Sequence, residues 1–145
     1  MKTELTTEQS RHLIELGVPK EKASKVYWKE VTDFRGRPFD FDYDFREGIT
    51  DKPFALQRVG LTSFNTQDIF TLTDLLEILP KEIEYEECLS EFTMQWNSTY
   101  QCWDVGYVYS GGFWKGCRFR HAELIDALYE LACWYYEVYS KSRKK

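Results

Sequence analysis

A chain of 145 residues, 43% of them apolar, is the size of one ordinary domain; it buries roughly two thirds of its unfolded surface and needs no metal or disulfide to close a core. The formal net charge of -5 disfavours a broad nucleic-acid face, which must neutralise several phosphates with Lys and Arg. The stretch MKTELTTEQS has no apolar leader core, and no run approaches the ~18 apolar residues of a membrane span, so a cytoplasmic chain with no membrane partner is expected.

Thr6 followed by Gln9 is a capping-box pattern, and Leu13, Ile14 and Leu16 then share one side before Gly17, which predicts a helix from Thr7 to Leu16. Pro19 suits the start of a helical turn over Lys20 to Ser24, and the β-favouring Val26, Tyr27, Trp28 and Val31 predict a strand from Val26 to Thr32. After the turn residues 33–37, Phe39, Phe41, Tyr43 and Phe45 alternate with Asp40, Asp42 and Asp44, the clearest period-two pattern in the chain. A hairpin over Val26 to Phe45 is expected. From Arg46 to Ile69 the periodicity dissolves among Gly48, Pro53 and Gly60, which reads as a long connection in which short strand pieces could hide.

Order returns where Thr71 caps and Leu72, Leu75, Leu76 and Leu79 form a stripe ended by Pro80, predicting a helix from Leu72 to Leu79. A three-stranded antiparallel meander from Leu89 to Arg120 follows. Pairing Trp96 with Trp103 sets Met94 opposite Val105 and Phe92 opposite Tyr107, with Gln95 against Asp104 and Thr93 against Gly106 on a polar face. A hairpin loop at Ser110, Gly111 and Gly112 would pair Tyr109 with Phe113, Val105 with Cys117, Trp103 with Phe119 and Asp104 with Arg118. In Ala122 to Tyr139 the residues Leu124, Leu128, Leu131, Tyr135 and Val138 recur at helical spacing, beside Ile125, Ala132 and Tyr139. That broad apolar stripe needs a cover, and the meander supplies it. The expected fold is one α+β domain over 1–145: an N-terminal lobe 1–45 of helix and hairpin, a connection 46–69, and a helix–meander–helix unit 70–140. Its expected core centres on Leu75, Leu79, Phe92, Met94, Val105, Leu124, Leu128 and Leu131.

The blocks Phe70-Thr71-Leu72-Thr73-Asp74-Leu75-Leu76-Glu77-Ile78-Leu79-Pro80-Lys81-Glu82-Ile83 and Glu123-Leu124-Ile125-Asp126-Ala127-Leu128-Tyr129-Glu130-Leu131, with Trp134 just after, resemble uncharacterised small proteins of phages, prophages and related mobile elements of gut bacteria. Leu5 to Gln9, Leu13 to Gly17 and Lys22-Ala23-Ser24 are similar to the start of such proteins. The matching pieces cover about half of the chain, and 39–69 lies outside them. The resemblance implies a genomic setting and no catalytic residues, since these proteins have no assigned activity.

Groups with chemical potential each have a plainer reading beside them. Asp40, Asp42, Asp44 and Asp51 fall at ligand positions of a calcium-loop template. The turn glycine is replaced by Phe45, and the aromatic alternation fits an extended charged strand face, so metal independence is expected. Cys117 and His121 stand four apart with Arg118 and Arg120 between them, but the register turns Cys117 into the core, where a thiol is inaccessible. Cys88, Cys102, Cys117 and Cys133, spaced by 14, 15 and 16 residues, read as reduced packed thiols and not as a zinc set. His12 reads as a helix-surface histidine, Asn97-Ser98-Thr99 as a polar turn, and Lys141, Arg143, Lys144 and Lys145 as helix-end charge. Ser110-Gly111-Gly112-Phe113 lacks the ending of a phosphate loop, and no cofactor is expected.

The remaining feature is 10 Tyr, 10 Phe and 5 Trp. In the proposed register Trp114 and Val108 lie on the polar face, and Trp134 and Tyr136 lie off the centre of the last helical stripe. They are the candidate partner-binding residues of a non-enzymatic accessory or interaction protein that self-associates or takes a protein partner. Two alternatives stand: the Phe39 to Phe45 strand folds over these aromatics, or a pocket between that hairpin and the meander binds a small molecule or houses an enzyme site.

Overall fold

The computed structural model describes residues 1–32, 47–52, 62–109 and 117–140. Within them the chain is α+β, with three α-helices and two antiparallel sheets of three and four strands. Helix α1, Thr7–Leu16, starts where the Thr6 hydroxyl accepts from the Gln9 N–H and the Gln9 side chain accepts from the Thr6 N–H. It stops at Gly17, whose φ of 112° is a conformation glycine adopts without a Cβ clash. A 3-10 turn, Lys20–Lys22, then leads into β1, Lys25–Thr32.

β1 is the middle strand of the smaller sheet, between β2, Glu47–Asp51, and β3, Thr62–Ile69. Two strands therefore occupy much of the stretch read from sequence as a connection. They escaped a periodicity search because the sheet buries few of their side chains: Ile49 and Asn65 are exposed, and Ile69 is buried at the far end. β1 pairs along Lys25–Lys29 with β2 and along its whole length with β3, so the strands seen beside it are not the expected Phe39 to Phe45, which lies outside the described residues. The chain start closes this region. The Leu5 N–H donates to the Phe70 carbonyl at 3.0 Å and the Leu72 N–H to the Thr3 carbonyl at 2.9 Å.

Helix α2, Leu72–Ile78, is capped by Thr71, and Asp74 closes the capping box. The buried Asp74 carboxylate also accepts from the Ser24 N–H and hydroxyl, both at 2.8 Å, and from the Thr71 N–H at 2.9 Å. One side chain thus ties the entry of β1 to the start of α2, and the buried carboxylate is satisfied by three donors converging on Oδ2.

The larger sheet runs β4 (Glu82–Tyr85), β5 (Cys88–Asn97), β6 (Cys102–Tyr109) and β7 (Phe119–His121) in that order. Four strands replace the expected three because Glu82–Tyr85 adds at the edge. The β5–β6 register agrees with the expectation at every position: Trp96 faces Trp103, Met94 faces Val105, Phe92 faces Tyr107 and Gln95 faces Asp104. The β6–β7 register differs by two residues. Trp103 faces His121, Asp104 faces Arg120 and Val105 faces Phe119, where Phe119, Arg118 and Cys117 were expected. A two-residue slip leaves every side chain on the same face, so alternation does not detect it. The buried Asp104, 1% exposed, chooses Arg120, whose Nε lies 2.6 Å from its carboxylate. The expected tight loop at Ser110 to Gly112 and the Tyr109–Phe113 pair involve residues outside those described.

Helix α3, Leu124–Trp134, buries Leu124, Ile125, Ala127, Leu128, Leu131 and Ala132, and it packs on β6, β7 and α2. Beyond it the chain widens into a π-helical segment, Tyr135–Tyr139. Wider turns shift the phase of the stripe. Tyr139 turns in, its hydroxyl donating to the Glu84 carbonyl at 3.0 Å, while Val138, expected on the core stripe, is exposed. Lys2 fastens the other end of α3, with Nζ 3.1 Å from Asp126. Burial pulls the Asp126 carboxyl upward, but hydrogen bonds from Lys2 and Gln9 outweigh it and hold the group below the usual carboxylate range.

Candidate functional site

Met94, expected in the core, and Trp96, expected on the apolar face that the last helix covers, stand open to solvent: Trp96 is 47% exposed and Met94 41%. Both project from β5 on the face that α3 covers elsewhere. The reason is the path of α3. It begins beside β7, and its C-terminal end reaches Trp134 and Tyr139 across to Tyr85 and Glu84 at the β4–β5 turn. A helix of 11 residues spans about 16 Å, whereas a strand of 10 residues runs about 33 Å. The C-terminal half of β5 is left outside that diagonal.

The open corner is ordered by its own contacts. The Trp96 ring meets Trp103 edge-on with centroids 5.6 Å apart, and Phe92 is half-buried with the Lys81 ammonium 5.6 Å above its ring. On the opposite face, Asp104 accepts from Arg120 Nε and from Asn97 Nδ2 at 3.2 Å, and the Arg120 guanidinium lies 4.7 Å over the exposed Tyr100 ring. The hydrogen bond to Asp104 raises the Arg120 pKa further above its ordinary value. The Asn97 side chain also accepts from the Thr99 and Tyr100 N–H groups, which shapes the turn expected there. This arrangement presents a firm apolar surface backed by a closed polar network. It has a preformed shape suited to packing against another surface.

Of the four residues singled out from the sequence, the three that are described lie away from that surface. Trp134 sits in an intramolecular aromatic cluster, 5.2 Å from Tyr85, 6.2 Å from Tyr107 and stacked at 5.7 Å on Tyr139. Tyr136 is half-buried against Tyr135, and burial raises its phenol pKa. Val108 is half-buried opposite Glu91, and Trp114 lies outside the described residues. What located Met94 wrongly in the core, and Trp96 under the last helix, was face alone. The signal that could have found them is the length mismatch between a short apolar stripe on the last helix and a long strand.

The other candidates separate. Cys117 is buried with Sγ donating to the Tyr107 carbonyl at 3.5 Å, while His121 Nε2 points to Glu130 at 3.1 Å. They hold different partners. His12 lies beside the Tyr129 ring on α1. All four cysteines are free thiols. Asp40, Asp42 and Asp44 lie outside the described residues, and Asp51 is exposed at the end of β2 opposite Lys25. Among the described residues no cluster of three or more His, Cys, Asp or Glu is arranged to hold a metal ion, and no helix is long and apolar enough to cross a membrane.

Cavities open at two places among the described residues. One of about 500 Å³ lies between Thr3, Ser24 and Lys25 and the residues Thr71 to Glu77 of α2. One oxygen of its central carboxylate, Asp74 Oδ2, already accepts from Ser24 and Thr71. The second, about 150 Å³, lies between α1 and the smaller sheet, beside Arg11, Tyr27 and Gln67. Neither is lined by a residue of the larger sheet. Comparison with protein-family models, with curated proteins and with solved structures finds no match to this chain.

Proposed function

We propose that the protein is a non-enzymatic interaction protein that binds a protein surface through the Met94–Trp96 corner of its larger sheet. The observation that carries this reading is the exposure of two large apolar side chains on a face whose other end is a packed core. Tryptophan at the centre of an apolar patch is the side chain most often found to dominate binding energy. In this reading the meander and the two helices against it form the binding unit, and the N-terminal helix and hairpin extend it. The resemblance of the Phe70 to Ile83 and Glu123 to Leu131 blocks supports an accessory role in a phage or mobile element, acting in the cytoplasm. The alternative of a small-molecule site has the 500 Å³ cavity in its favour, with one oxygen of its carboxylate already occupied.

The test compares wild type with Trp96→Ala. Self-association is followed by sedimentation, and capture of host proteins by the immobilised chain is quantified. At least a tenfold loss of whichever association the wild type shows is expected, with little change in melting temperature. A wild-type chain that neither self-associates nor retains any protein in a Trp96-dependent way removes the reading.

A further inference from the structure

The corner that carries Met94 and Trp96 is also an open strand edge. β4 pairs with β5 only along Cys88 to Glu91, and the last contact on that side is the Phe92 N–H donating to the Lys81 carbonyl at 2.8 Å. Among the described residues, 93–97 are paired on one side only, with β6. Outward and inward backbone groups alternate along an antiparallel strand. Because Phe92 points its N–H away from β6, so do Met94 and Trp96. Their N–H and C=O groups therefore line an edge that no described strand pairs.

Sheet edges are ordinarily guarded by charge, proline or brevity. Thr93-Met94-Gln95-Trp96-Asn97 carries no charge and no proline. The other edges differ. β2 carries Glu47 and Asp51, β4 carries Glu82 and Glu84, and β7 has three residues with Arg120 in the middle. β3 carries Asp68, paired with Lys52, and has α1 against it. An identical strand laid antiparallel to an edge meets that edge's own side chains, and like charges facing each other oppose the pairing. Charge therefore disfavours self-pairing at β2 and β4 and permits it at 93–97.

We propose that two copies of the chain associate by antiparallel pairing of residues 93–97, with the twofold axis passing beside Gln95. This inference rests on the reading of the corner as a binding surface and names its occupant as a second copy. In that register Met94 of one copy faces Trp96 of the other, Thr93 faces Asn97, and Gln95 faces itself. Every facing pair is uncharged. The outward groups of Met94 and Trp96 exchange roughly four hydrogen bonds across the axis, since each such residue pair exchanges two. On the apolar face the Met94 thioether lies against the indole of the second copy, a favourable sulfur–aromatic contact. The contact is isologous, so it closes at two copies and does not propagate into a filament. The five free positions accept five residues, and the Lys81 end of β4 lies where the partner strand turns away at Ser98.

The test is register-specific. Wild type is expected to show a concentration-dependent monomer–dimer equilibrium by sedimentation, and Gln95→Lys, which sets two ammonium groups on the axis, to weaken it at least tenfold. With Cys88 and Cys102 replaced by Ser, Gln95→Cys is expected to give a disulfide-linked dimer on mild oxidation, because the two copies of this residue face each other at bridging distance. Thr93→Cys alone is expected to stay unlinked, and Thr93→Cys with Asn97→Cys to link. A dimer insensitive to Gln95→Lys, or equal linking through positions 93 and 95, overturns the proposal. A strictly monomeric chain that still holds another protein in a Trp96-dependent way overturns this proposal alone, and a chain that does neither removes the interaction reading with it.

Discussion

The apolar face of the larger sheet has two ends built from the same alternation of side chains. At one, Tyr107 is fully buried with Leu128 and Leu131 of α3 and the aromatic cluster around Trp134, and Val105, midway along β6, is still buried although it faces Met94. At the other, Met94 and Trp96 occupy equivalent positions in the ladder and face water. The ladder decides which face a side chain takes, and the path of the covering helix decides whether that face is dry. The covered end supplies stability, and under the proposed function the open end is the one left available for association.

The largest effect is expected at the covered end. Leu128→Ala removes a fully buried side chain at the middle of α3 and should lower unfolding free energy by roughly 2–5 kcal/mol, read by urea denaturation. An unchanged midpoint would show that α3 does not organise this face. Next comes Tyr107→Phe, which removes the hydroxyl donating to the Pro80 carbonyl at 2.8 Å and should cost about 1 kcal/mol. Burial, followed by the neighbouring Tyr135, holds the Tyr107 phenol pKa well above its ordinary value. The unfolded chain releases that proton first, near about pH 10. Its contribution is therefore intact below that pH and lost as pH rises from there toward the folded pKa. A wild-type stability curve that falls above this point, and falls less in Tyr107→Phe, would sharpen the contrast between the ends.

Arg120→Ala leaves the buried Asp104 carboxylate with Asn97 as its remaining side-chain partner. A lower melting temperature is expected, partly restored when Asp104→Asn removes the charge. Smallest is Trp96→Ala: much of the ring is exposed already, so its loss costs about 1 kcal/mol or less, chiefly the edge-on contact with Trp103. Equal destabilisation by Trp96→Ala and Leu128→Ala would erase the distinction between the ends.

Several parts of this molecule were legible from the chain alone because they depend on neighbours in sequence or on one pair of strands. The capping boxes at Thr6–Gln9 and Thr71–Asp74 and the Gly17 stop are local hydrogen-bond chemistry. The β5–β6 register sorts two adjacent strands into an apolar and a polar face and sets Trp96 against Trp103. Other parts required the tertiary structure. Arg118 and Arg120 share a face, so the choice of Arg120 by Asp104 depended on where the third strand lies. β2 and β3 are polar strands, recognisable only through their pairing with β1. The π-helical turn rephased Tyr139 against Val138. Met94 and Trp96 were both assigned to the apolar face correctly, and Met94 to the core wrongly, because side-chain direction is a property of the strand, whereas burial belongs to whatever element crosses above it.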